Sequence, residues 1–166
     1  SWECISLEYP PNVEGKYPTI FKNLQRIAFF TGNDTGYVVD NSVLYKTENL
    51  GKDWEFLRFT GTNSIPSVFF PDPQTCFLTD IQIFTNDGGI TWSQDPYNLY
   101  GSNIVLFEDE FYYSDGNAIM RKKFVEKHPQ MMVREGDTYI YELFFPSQKI
   151  GYAIGAGSTI LKHERE

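Results

Sequence analysis

Two turn phrases ending in tryptophan constrain this chain more than any other feature. Thr85-Asn86-Asp87-Gly88-Gly89-Ile90-Thr91-Trp92 has the form Ser/Thr-x-Asp-x-Gly-x-x-Trp. Thr47-Glu48-Asn49-Leu50-Gly51-Lys52-Asp53-Trp54 is a second copy, with Asn49 in place of the Asp. The third tryptophan of the chain, Trp2, opens a run (WECISL, 2–7) that matches the run opened by Trp54 (WEFLRF, 54–59). A repeated turn with a repeated tryptophan is an internal repeat, and repeats fix an architecture before local propensities do.

The repeat extends beyond the turns. Apolar runs stand at 26–30, 66–70, 103–107 and 141–145, their last residues 40, 37 and 38 positions apart. Each is followed by a short turn and a second β-rich run (36–39, 75–78, 110–113, 151–154). A third follows at 43–46, 82–84, 118–121 and 159–162, and the fourth begins at the tryptophan. Short β-branched and aromatic runs separated by turn residues read as antiparallel strands, and no stretch carries a helical period. Four strands per roughly 40 residues is the pattern of a propeller blade. The expectation is an all-β fold: a single domain, 1–166, forming a small β-propeller of four four-stranded antiparallel blades. The blades fall at about 23–59, 64–97, 102–137 and 139–166 plus 2–7. The third repeat has no turn phrase after Met120, and the fourth stops at His163-Glu164-Arg165-Glu166, where its phrase would begin. The run 2–7 is therefore expected to supply the missing outer strand and close the ring, which removes two exposed sheet edges.

These phrases resemble the Asp-box of the bacterial neuraminidase (BNR) repeat, a hairpin turn of propeller blades. The resemblance implies structural roles for Thr47, Asn49, Gly51 and Trp54, and for Thr85, Asp87, Gly89 and Trp92. The Thr and Asp/Asn side chains would bond the backbone of the turn, the glycine would take a conformation closed to other residues, and the Trp would pack over the hairpin. The longer phrases GYVVDNSVLYKTENLGKDW and IGYAIGAGSTILKHE are similar to the propellers related to the photosystem II assembly factor. That resemblance implies a propeller that acts as a binding scaffold. Sialidases carry the same boxes, but their chemistry needs an arginine cluster and a Tyr-Glu nucleophile pair. The arginines here, Arg26, Arg58, Arg121, Arg134 and Arg165, show no repeat-related clustering.

Composition narrows the functional classes. A net charge of -8 argues against nucleic acid and anionic membranes as partners. No apolar run is long enough for a membrane-spanning helix. Cys4 and Cys76 fall in different blades and read as unpaired. His128 and His163 form no zinc-ligand pattern, and neither a nucleophile elbow nor a phosphate loop is present. No metal or cofactor is called for.

Candidate binding residues lie on the face that carries the blade connections and the turns from second to third strand. Its long loops hold Tyr9, Tyr17, Tyr97 and Tyr100, residues suited to recognising a protein or a sugar. Asp40, Asp80 and Asp115 occupy equivalent places after the second strand, with Gly155 in the fourth repeat. The function this supports is non-catalytic binding of a protein partner by a monomer in the periplasm or outside the cell. The alternative is a carbohydrate-binding or degenerate glycosidase module, which a convergent Arg/carboxylate pocket would favour.

Overall fold

The fold is seen in a computed structural model that describes residues 4, 7, 24–30, 32–40, 43–59, 68–134, 136–147 and 149–164. It is all-β, with four antiparallel sheets arranged as the four blades of a β-propeller. Blade one holds β1 (Leu24–Phe29), β2 (Gly36–Asp40), β3 (Val43–Thr47) and β4 (Glu55–Phe59). Blade two holds β5 (Val68–Asp72), β6 (Thr75–Leu78), β7 (Ile83–Thr85) and the short β8 (Ser93–Gln94), with one 3₁₀ turn at Thr79–Ile81. Blade three holds β9 (Ser102–Phe107), β10 (Glu110–Asp115), β11 (Ala118–Lys123) and β12 (Gln130–Arg134). Blade four has three strands among the described residues: β13 (Ile140–Ser147), β14 (Ile150–Gly155) and β15 (Thr159–Glu164). Every strand pairs with its neighbour in sequence, so each blade is a meander.

Side chains on a strand alternate between its two faces, and that alternation stacks the blades. On β2, Tyr37 and Val39 face blade two and pack with Leu44, Cys76 and Leu78. The Tyr37 ring stacks on Phe70 at 4.7 Å, and its hydroxyl donates to the Pro73 carbonyl at 2.7 Å. On β10, Phe111 and Tyr113 join Phe77 and Leu99 at the seam of blades two and three. Tyr112, between them in sequence, points the other way and joins Ile140, Leu143 and Ala153 at the seam of blades three and four. Central strands with both faces buried explain a chain in which 17% of residues are aromatic.

Glycine is required where a first strand lays its ring over the second. A Cβ on Gly36 would stand 2.5 Å from the Phe29 ring, and one on Gly151 would stand 2.5 Å from the Phe145 ring. The two glycines open the matching phrases GYVVD and GYAIG.

Blade three fills the place of its missing turn phrase with charge. Arg121 and Lys123 lie 3.6 and 3.3 Å from the buried Glu110 carboxylate, which also accepts from the Tyr112 hydroxyl at 2.9 Å. Lys122, on the opposite face, is buried and donates to the Tyr97 carbonyl. Phe124 then stacks on Tyr97 at 4.8 Å and sits 4.9 Å from Phe111, so an aromatic ring still plugs this seam.

The strand expected from residues 2–7 lies outside the described residues, apart from Cys4 and Leu7. Cys4 is exposed. Leu7 packs against Val38, Val43 and Tyr45, on the face of blade one that points away from blade two. Cys4 and Cys76 are both free thiols, and burial pushes the Cys76 thiol well up.

Candidate functional site

The two turn phrases form the same hydrogen-bonded loop. In the first, the Thr47 hydroxyl donates to Asn49 Oδ1 at 2.9 Å and accepts from the Gly51 N–H at 3.0 Å. In the second, the Thr85 hydroxyl donates to Asp87 Oδ1 at 2.7 Å and accepts from the Gly89 N–H at 3.0 Å. Asp87 gains more than Asn49 does. It accepts the Thr91 hydroxyl at 2.6 Å and the Thr91 N–H at 3.0 Å, and those bonds hold its carboxyl down at about 2. Gly51 and Gly89 have φ of 82° and 94°, the left-handed region that favours glycine. A Cβ on Gly89 would also strike Leu57 of blade one at 2.5 Å. Trp92 Nε1 donates to the Gly89 carbonyl at 3.0 Å, and the Trp92 ring enters the seam of blades one and two under the Arg58 guanidinium, 4.6 Å from its centroid. These residues have their bonding satisfied inside the fold and hold blades together.

The binding residues read from the sequence are dispersed. Tyr9 and Tyr17 lie outside the described residues, as does the side chain of Asp40. Tyr97 is a seam residue, its ring 5.3 Å from Phe111 and 4.8 Å from Phe124. Its loop is ordered by the buried Asp95, whose carboxylate accepts the Tyr97 and Leu99 N–H groups at 2.8 Å each. Tyr100 is exposed, and so are Asp80 and Asp115. Among the described residues no three acidic, His or Cys side chains gather closely enough to hold a metal ion. Tyr139, which the sequence reading left out, is exposed on the same connecting segment as Gly136 and Thr138, 6.3 Å from the exposed Tyr141 ring.

Among the described residues, two larger concave features lie away from the turns. The first is an axial groove of about 450 Å³ between the first strands of blades one to three. Its lining includes Arg26, Ile27, Phe69, Phe70 and Ile104, with Arg26 the one charged residue. The second is an apolar cavity of about 320 Å³ at the seam of blades three and four, lined by Tyr112, Met132, Leu143, Phe145, Gly151 and Leu161 among others.

The internal repeat explains the second cavity. In blade one the Phe29 ring covers Gly36, and Trp54 stands edge-on to Phe29 with centroids 6.0 Å apart. Blade four rebuilds the base of that arrangement with Phe145 over Gly151. The cavity lies on this base. Beside it, β15 pairs with β14 on one edge and has no strand on the other among the described residues. Sequence reading missed the socket, because a seam cavity is formed by residues from six strands at long separation.

No family model matches the chain, and no curated protein matches it. Solved structures do. The chain is similar to the computationally designed Ika4 protein, with 12% identity over 90% of this chain and 95% of that one, at a TM-score of 0.58. It is also similar to YCF48 from Cyanidioschyzon merolae, with 17% identity over 80% of this chain and a TM-score of 0.52. A structure of YCF48 bound to D1 peptide matches with 24% identity over 86% of this chain and a TM-score of 0.51. The chain spans about half the length of the two YCF48 chains, 49% and 53%. At these identities the likeness concerns the fold, a β-propeller.

Proposed function

We propose that this propeller is a non-catalytic binding protein for polypeptide, and that it takes an extended segment at the seam of blades three and four. The segment adds to the edge of β15 that has no strand beside it among the described residues, and places a large aromatic side chain in the adjoining cavity. One observation carries this reading: the chain uses the same arrangement on itself. Trp54 precedes β4 on the edge of β3, and Trp92 precedes β8 on the edge of β7. Strand addition of this kind draws affinity from main-chain hydrogen bonds and selectivity from a side-chain pocket. Peptide capture by a likeness such as YCF48 supports a polypeptide ligand. We read the two turns as Asp-boxes of the BNR type, here as structural elements.

Carbohydrate binding is less well supported. The axial groove offers Arg26 without a facing carboxylate among its lining residues. The other described arginines do not converge: Arg58 lies over Trp92, Arg121 beside Glu110, and Arg134 is exposed on β12.

The test uses a fluorescently labelled synthetic peptide with this chain's own sequence 88–97 as probe. Saturable binding is expected, and replacing its tryptophan by alanine weakens it at least tenfold, as loss of a central aromatic anchor does. Leu161→Glu in the protein also weakens it, whereas Tyr100→Ala leaves it unchanged. Absence of binding, or binding indifferent to the peptide tryptophan, overturns the proposal. So does binding seen only after Trp2→Ala, because the socket would then belong to the chain's own first residues. A glycan array run in parallel tests the carbohydrate reading.

A further inference from the structure

Blade four ends the stack with an apolar face that has the make-up of a buried one. Directly opposed residues on its three strands form two rows on the side away from blade three: Phe144, Tyr152 and Lys162, and Glu142, Ile154 and Ile160. Blade one forms the corresponding rows from Ala28, Tyr37 and Lys46, and from Arg26, Val39 and Leu44. The positions match one for one at Tyr37/Tyr152, Val39/Ile154, Leu44/Ile160 and Lys46/Lys162. In blade one those apolar residues are sealed by blade two, with Tyr37, Val39 and Leu44 at most 1% exposed. In blade four Tyr152, Ile154, Ile160 and Phe144 are 37, 44, 72 and 62% exposed.

The other end of the stack carries the complementary face. Blade one turns Ile27, Phe29, Val38 and Tyr45 away from blade two, on the side where Trp54, Phe56 and Leu7 also pack. Ile27 and Phe29 remain exposed. One end of the stack is thus built to receive a following blade, and the other a preceding one.

We infer that these two faces are an interface between copies of this chain: two copies close into one ring of eight blades. Blade four of each copy covers blade one of the other. The two contacts are related by one two-fold axis, so the assembly closes and does not propagate into a filament. A contact of blade on blade repeats the interface already present three times within the chain, with apolar rows meeting across a seam and polar residues at its rim. Closure also completes the axial groove, whose lining in one copy comes from the first strands of blades one to three.

Sedimentation velocity at micromolar concentration tests this directly. The wild-type chain should sediment at twice its 19.2 kDa. The pair Ile154→Asp with Ile160→Asp should halve that mass and leave the far-ultraviolet strand spectrum unchanged, because both side chains are exposed within one copy. A wild-type chain that sediments as a single copy overturns the inference, as does a substituted chain that keeps the double mass. Cross-linking distinguishes the ring from a contact of blade four on blade four. Ile27→Cys with Ile154→Cys, in a Cys4→Ser background, should give a covalent dimer with a short bis-maleimide. A link within one copy, or none, overturns the ring.

Discussion

Asp87 and Asn49 occupy the same place in the repeat and differ in what they can accept. The Asp87 carboxylate takes the N–H and the hydroxyl of Thr91 together with the Thr85 hydroxyl. Asn49 takes the Asp53 N–H and the Thr47 hydroxyl, and donates its own amide to the Asp53 carboxylate. Asp87→Ala should therefore lower the melting temperature more than Asn49→Ala, by thermal unfolding in the same buffer. The carboxylate also gives acid sensitivity with a definite sign. Its folded-state value of about 2 lies below the ordinary 3.8, so folding favours the ionised form. That contribution is complete above about pH 4 and is lost as the pH falls towards 2. Asp87→Asn should flatten the stability profile across this window, and an unchanged acid limb would show that the turn does not set it. Leu50 sits at φ 58°, where the second turn has Gly88 at 72°. Leu50→Gly trades a left-handed penalty of about 1–2 kcal/mol for a smaller glycine entropy cost. It should stabilise the chain by about 0.5 kcal/mol, measured by urea unfolding.

At the scale of the element, two of the three seams are plugged by a ring that follows the third strand. Trp92 fills the seam of blades one and two, and Phe124 that of blades two and three. Trp92→Ala should cost about 3 kcal/mol, since the ring is half-buried and also carries the bond to the Gly89 carbonyl. A cost below about 1 kcal/mol would mean that the seam collapses onto the gap. The strands were legible because their pattern repeats with side chains alternating between faces, and the turns because Gly and Asp are needed there. The run Arg121-Lys122-Lys123 was not legible as structure. Its meaning depends on Glu110, eleven residues away in sequence, and on the Tyr97 carbonyl in another blade. Tyr97 shows the same limit. Its place in a loop suggested display, but Asp95 folds that loop back and turns the ring into the seam.

At the scale of the whole molecule, the exposed end face of blade four and the edge of β15, unpaired among the described residues, are separate features with separate signatures. Hydrogen exchange at two protein concentrations resolves them. Amides of β14 and the Ile160 region of β15 should slow as concentration rises, because docking by a second copy restrains that sheet. Amides of β6 and β10, enclosed by blades on both sides, should be slowest at either concentration. Concentration-independent exchange in blade four would leave its apolar face without a partner. The sequence by itself determined the all-β class, the number of blades, the two turns and their tryptophans, because a repeat prints its local hydrogen bonding and its alternation into every copy. Only the tertiary structure decided which face of each blade is covered, where a seam keeps a cavity, and which tyrosines reach solvent. Those properties belong to pairs of blades, and residues from different blades settle them by meeting.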